Sequence, residues 1–227
     1  MDNDKIYEIC GMEKLVVIII GTNEEAQTAT EYLLEQEAVI YGYLSENENN
    51  EVTEILDIPV LGYYEDKTYL DLLKKPEIQY FIAVKEASKR QKVSEKIFKV
   101  CKKHPISVIH PTSYIAGSAS LANGILVGPF CNISEKVSIE ADTFIGSHVS
   151  IGRNTKIDRG CDIHSGVKIG SNVIIEKNVY IGLNATLHHG IRIEEKAVVL
   201  SGSVLFQTIK KGSSVMGNPA QLYKQEV

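Results

Sequence analysis

The chain has 227 residues, 44% hydrophobic and 23% charged, with a formal net charge of −5. That length suits one or two domains, and the acidic balance excludes the basic footprint of a nucleic-acid-binding surface. The start, MDNDKIYEICGMEK, lacks the apolar run of a secretion signal, and no stretch of 18 apolar residues exists, so neither export nor membrane insertion is expected.

Residues 1–13 read as an N-terminal extension, and residues 14–110 as a small α/β domain. KLVVIIIG (14–21) is a continuous apolar run closed by glycine, the pattern of a strand buried on both faces. EEAQTATEYLLEQ predicts a helix with Asn23 as its N-cap. AVIYGYL is a second strand and IPVLGYYED holds a third. TYLDLLKK follows as a helix, QYFIAV as a strand and SKRQKVSEKIFKVCKKH as a basic amphipathic helix, before SVIH closes the unit. The alternation predicts a small Rossmann-like parallel sheet, with the boundary near His110–Ser113.

From 111 to 227 a different rule applies. Every sixth residue from Ile115 through Ile145, Ile151 and Ile157 to Leu205 is aliphatic, sixteen positions in a row. Two residues earlier the side chain is small or β-branched, as at Cys131, Thr143, Thr155 and Cys161. Glycine is frequent one residue later (Gly128, Gly146, Gly152, Gly170, Gly182), and Gly and Asn are expected to supply unusual φ angles at corners. A six-residue period fits neither a helix nor a half-buried strand; it is the mark of a parallel β-helix. Three hexads close one triangular coil of 18 residues, and stacking the coils buries a continuous apolar column. Cys10, Cys101, Cys131 and Cys161 match no disulfide or zinc spacing. Cys131 and Cys161 fall on inward positions, so buried thiols in a reducing cytoplasmic setting are expected, and no metal site.

An α/β unit followed by a hexapeptide solenoid ending in SSVMGNPAQLYK resembles the bacterial hexapeptide-repeat sugar acyltransferases, from about Lys14 to Lys224. These are the N-acetyltransferases of nucleotide-linked amino sugars and the sialic acid O-acetyltransferases. The resemblance implies a left-handed β-helix and a homotrimer with acetyl-CoA between neighbouring solenoids. It also implies a sugar nucleotide on the small domain, and acetylation of its amine for surface-glycan synthesis. O-acetylation of a sialic-acid-like sugar and a non-catalytic ligand-binding or scaffold solenoid remain the alternatives.

Several positions depart from the family pattern. The glycine-rich phosphate loop is replaced by GTNEEA, in which only Gly21 remains and Glu24 and Glu25 oppose a pyrophosphate. Lys85 and Arg90, with Lys89, are the cations left to meet a phosphate. The family's histidine base falls on Arg153, followed by Asn154, and a second family histidine falls on Asp162. Arginine stays protonated and is no base, but it suits a sugar phosphate or carboxylate; Arg153, Asn154 and Asp162 are therefore assigned to substrate. His164, with Asp162 and Arg153 expected beside it, is the first candidate base and His148 the second. A third possibility is no protein base at all, the departing thiolate taking the proton. His104 and His110 read as structural, and His189 shares the outward column of Arg153, two coils on. Gly170, Ser171, Gly182, Leu183 and the Gly217–Asn218–Pro219 run match the family's CoA-lining positions, with Lys210, Lys211 or Lys224 near CoA phosphates.

Overall fold

The computed structural model describes residues 14–223; the extension 1–13, Cys10 and Lys224 lie outside the described residues. Contacts divide the chain between Val108 and Ile109.

The first unit is a five-stranded sheet of β1 (Val16–Ile20), β2 (Val39–Ser45), β3 (Glu54–Ile55), β4 (Ile58–Tyr63) and β5 (Ile78–Ile82), in the order β3-β4-β2-β1-β5. All neighbours are parallel except β3 and β4. Helices α1 (Glu24–Leu34) and α2 (Lys67–Leu73) provide crossovers between parallel strands, and α3 (Ala87–Cys101) follows β5 and packs on the sheet. Ile18, Ile20, Leu44, Tyr80 and Ile82 form the core with Val93 and Ile97 of α3. Asn23 caps α1 as expected, its side-chain oxygen accepting from the Ala26 amide at 3.2 Å. Gly21 is needed for packing, because a Cβ there would lie 2.6 Å from the Ala83 carbonyl oxygen of the neighbouring chain segment.

Val108–Ile109 (β6), expected to close the α/β unit, joins the solenoid's sheet instead, and His110 donates its amide to Val127. Ile109 lies six residues before Ile115, so the register starts one hexad earlier than the sequence reading placed it.

The second unit is a left-handed parallel β-helix. Two-residue strands recur from β7 (Tyr114–Ile115) to β22 (Val204–Leu205), and until the last coil each pairs in parallel with the strand 18 residues on, as Ser150↔Lys168. They form three faces. The first holds β7, β10 (Asn132–Ile133), β13 (Ser150–Ile151), β16 (Lys168–Ile169), β19 (Thr186–Leu187) and β22. The second runs from β8 (Ser120–Leu121) to β20 (Arg192–Ile193), and the third from β6 through β12 (Phe144–Ile145), β15 (Asp162–Ile163) and β18 (Tyr180–Ile181). A closing hairpin, β23 (Ser214–Gly217) and β24 (Ala220–Leu222), extends the third face.

The sixteen aliphatic positions line the core; all are buried except Ile115 and Leu121, which are half-buried in the first coil. The small inward positions are buried as expected from Cys131 onward, and Ile125 and Ile191 show that a large residue also fits there. Hydroxyls and thiols at this position donate to a carbonyl of the next coil, as Thr155 to Gly170 at 3.0 Å, Cys131 to Gly146 at 3.0 Å and Cys161 to Glu176 at 3.0 Å. A buried carbonyl lone pair is thereby satisfied without breaking the apolar column. Ser203, in the last coil, is the exception, buried with its hydroxyl unpaired among the described residues.

Glycine and asparagine do supply unusual φ angles at the corners, together with other residues. Fourteen successive corner residues, at six-residue intervals from Gly124 to Gly202, adopt φ between 55° and 78°. Five are glycine; the others include Asn154, Asn172, Asn178 and Asn184, for which the left-handed region is least costly. The glycines at 128, 146, 152, 170 and 182 are not among them. They stand where the coils meet: a Cβ on Gly152 would lie 2.6 Å from the Ser171 nitrogen, and one on Gly170 2.6 Å from the His189 nitrogen.

Candidate active site

Each turn between faces projects side chains from one edge of the prism. The three edges differ in chemistry because each samples every eighteenth residue.

The second edge, after the second face, is a ladder of ion pairs. Arg159 meets Asp142 at 2.7 Å, Arg192 meets Glu176 at 2.6 Å, and Lys210 and Lys211 meet Glu194 and Glu195 at 3.0 and 2.7 Å. A backbone amide from Glu195 and the Arg192 guanidinium hold Glu176 below the usual carboxylate range. Lys210 and Lys211, expected near CoA phosphates, are thus already engaged by carboxylates of the preceding coil.

The first edge carries Arg153, Asn154, Gly170, Ser171, His188 and His189. Arg153 is exposed, and its guanidinium has no hydrogen-bond or ion-pair partner among the described residues. Asn154 donates its side-chain amide to Asn172 at 3.2 Å, one coil on. The His188 and His189 rings lie 3.8 Å apart. His189 shares the column of Arg153, as the 36-residue spacing required.

The third edge carries the two candidate bases in successive coils. His148 stands at a left-handed corner with φ 58° and stacks on Phe130, ring centroids 5.0 Å apart at 21°. Its carbonyl accepts from the Lys168 ammonium at 2.8 Å, which fixes the corner. His164 packs on Tyr180 at 4.7 Å. No hydrogen bond to a ring nitrogen of either histidine occurs among the described residues, so none of their carboxylates orients either ring. Asp162 is half-buried on the third face, in line with Phe144 and Tyr180. Gly182 and Leu183 belong to this edge, Leu183 48% exposed. Gly217, Asn218 and Pro219 form the turn of the closing hairpin.

Two expectations need correction. Arg153 and Asn154 project from a different edge than His148 and His164, so one chain does not bring them together. Arg90 is fully buried and donates from Nη1 to the carbonyls of Val84 (2.8 Å) and Lys85 (3.0 Å). It braces the turn into α3 and has no surface to offer a phosphate, whereas Lys85 is exposed. The sequence reading missed the ring partners Phe130 and Tyr180; their signal was the 18-residue spacing, since Phe130 precedes His148 by one coil and Tyr180 follows Asp162 by one. His110 and His104 do local work: His110 Nδ1 accepts from the Thr112 amide at 3.2 Å, and His104 stacks on Phe98 at 4.3 Å. Among the described residues no three His, Cys, Asp or Glu side chains group as a metal site, and no helix is long and apolar enough to cross a membrane.

Comparison with known proteins adds likenesses of three kinds. The repeat family described as "Bacterial transferase hexapeptide (six repeats)" matches residues 148–183, and the "Hexapeptide repeat of succinyl-transferase" matches residues 172–207. The chain is 42% identical over 48 residues to the UDP-3-O-acylglucosamine N-acyltransferase of Psychrobacter cryohalolentis, a match spanning 21% of this chain and 14% of that enzyme. In structure it is similar to PerB from Caulobacter crescentus, solved in complex with CoA and GDP-perosamine, at TM-score 0.81 and 20% identity over 92% of this chain and 97% of that one. A mutant of GDP-perosamine N-acetyl transferase from Caulobacter crescentus, also with CoA and GDP-perosamine, gives TM-score 0.66 and 22% identity over the same shares. At such identities these structures establish the two-unit fold.

Proposed function

We propose that this protein is an acetyl-CoA-dependent acetyltransferase that transfers an acetyl group to the amine of a nucleotide-linked amino sugar for surface-glycan synthesis, as a cytoplasmic homotrimer. The observation that carries the reading is the near full-length likeness, through both units, to a protein solved with CoA and GDP-perosamine. The division of site residues between two edges supports the trimer. A neighbour's first edge laid against this chain's third edge would set Arg153, Gly170 and Ser171 beside His148, His164, Gly182 and Leu183. Acetyl-CoA would then lie along that seam toward the hairpin turn at Gly217–Pro219, where backbone approach is close.

In the reaction the amine nitrogen attacks the thioester carbonyl, nitrogen loses a proton, the C–S bond breaks and CoA leaves as the thiol. An imidazole nitrogen of His148 or His164 accepts that proton in its neutral form; the Arg153 guanidinium holds the sugar's phosphate, with Asn154 and Asp162 fixing the acceptor.

Release of free CoA thiol from acetyl-CoA, measured against UDP-, dTDP- and GDP-linked amino sugars, tests the reading. Turnover with one of them is expected, with kcat in His148→Ala or His164→Ala reduced on the order of 10²-fold for whichever residue is the base. Unchanged kinetics in both variants would assign the proton to the thiolate. No turnover across the panel, with CoA still bound, would favour a free-sugar O-acetyltransferase or a non-catalytic solenoid.

A further inference from the structure

The backbone ladder of the solenoid holds a corner residue on one side. Its amide donates to the coil before, as Asn154 to Glu135, Gly166 to Ser147 and Asn172 to Arg153. Among the described residues no backbone amide donates to a corner carbonyl. His148 is held on both sides. Its amide donates to the Pro129 carbonyl at 2.8 Å in the coil before, and its carbonyl accepts from the Lys168 ammonium at 2.8 Å in the coil after. The same ammonium donates to the Ser150 hydroxyl at 3.5 Å, on the residue that pairs with Lys168 in the first face. Lys168 is the one charged residue of its outward column, which reads Tyr114, Asn132, Ser150, Lys168, Thr186 and Val204. Its side chain is exposed and has no carboxylate partner among the described residues.

Two peptide planes flank each Cα, and together they set the direction of its Cβ. The plane before His148 is fixed by Pro129 and the plane after it by Lys168. Phe130 then stacks on the ring, with centroids 5.0 Å apart at 21°. Three contacts thus aim the imidazole, and none of them occupies a ring nitrogen. His164 is held differently: its carbonyl accepts from the Val167 amide of its own turn at 3.4 Å, and its ring meets Tyr180 at a tilt of 51°.

Resting on the function proposed above, with His148 as its base, we infer that Lys168 is a positioning residue for acetyl transfer, its ammonium clamping the His148 peptide so that the imidazole meets the amine proton at a fixed angle. A base must stand within hydrogen-bond reach of the proton it takes, and small errors of placement cost rate steeply. An exposed corner side chain with no carboxylate on its ring draws that precision from its backbone and from the Phe130 stack. Lysine suits the task. Its stem spans the strand spacing of about 4.8 Å, and a charged donor holds a carbonyl more strongly than a neutral one.

Steady-state kinetics test the inference on wild type, Lys168→Met, Lys168→Arg, His148→Ala and the Lys168→Met/His148→Ala double variant, with the sugar nucleotide that turns over. Lys168→Met is expected to lower kcat on the order of 10-fold, with KM for acetyl-CoA and for the sugar nucleotide unchanged. Lys168→Arg keeps kcat, because a guanidinium still donates to the carbonyl. The double variant is no slower than His148→Ala alone, since the lysine acts through that ring. Unchanged kcat in Lys168→Met, a rise in KM in its place, or losses that multiply in the double variant overturn the inference. So does Lys168→Arg as slow as Lys168→Met, or a change of particle mass in Lys168→Met, which would assign the lysine to a subunit contact. If His148→Ala is as fast as wild type and His164→Ala is slow, the inference falls while the acetyltransferase reading stands. If no sugar nucleotide turns over, that reading falls, and the positioning role with it.

Discussion

Gly152 and Gly117 both sit on the first edge, yet they answer to different physics. A Cβ on Gly152 meets backbone of the next coil at 2.6 Å, and backbone cannot step aside as a side-chain tip can; a Cβ on Gly117 meets nothing within 4 Å. Gly152→Ala should cost about 1–3 kcal/mol of unfolding free energy by overpacking, and Gly117→Ala within about 0.5 kcal/mol, a contrast read directly from two denaturation curves. Gly190 falls between, with open space but φ 74°, so alanine there pays about 1 kcal/mol for conformation alone. The sequence showed where glycine recurs. It did not show that the recurrence reports coil-to-coil distance, because a glycine needed for φ and one needed for space look the same in a string of letters. Buried thiols were easier to read. Cys131 and Cys161 fell on inward positions of the register and are buried, and burial pushes the Cys131 thiol above its ordinary value.

Elements were legible where periodicity was long. The four main strands and three helices of the first unit follow from apolar runs and helical spacing, whereas β3 was missed. Its hairpin to β4 turns through Leu56 and Asp57, both left-handed at φ 51° and 60°, in place of the Asn-Gly pair that marks such turns. Arg90 was misread although helical spacing was available: Arg90, Val93, Ser94 and Ile97 share the buried face of α3, at intervals of three and four. A contact between elements supplies a test in pH. Glu65, just after β4, accepts from the Lys96 ammonium on α3 and from the Tyr64 hydroxyl, which lowers its carboxyl to about 2. A folded-state value below the unfolded one stabilises above about pH 4.5, and the contribution disappears as pH falls toward 2. Glu65→Gln should therefore lose on the order of 0.5 kcal/mol at pH 7 and match wild type near pH 2, compared by thermal melts along a pH series.

At the scale of the molecule, the solenoid could be read from its letters almost coil by coil, because one burial rule repeats through sixteen positions. The candidate site was less legible. Its residues are proposed by type, but their edges follow from position within an 18-residue turn, and Arg153 and His164 differ by 11. Two incomplete edges on one chain lead to a prediction about assembly. Light scattering in solution should give a mass about three times the 25.1 kDa chain, while a monomer that still turns over would show that one chain suffices. The corner ladder also makes the solenoid behave like a reading frame. Removing a single residue would turn every later inward side chain outward. Removing six would keep the core in phase but move all downstream chemistry round to the adjacent edge, trading ion pairs for imidazoles. Only a cut of eighteen, the spacing of paired strands, leaves each edge its own vocabulary, so chains of this kind can lengthen or shorten safely in whole coils.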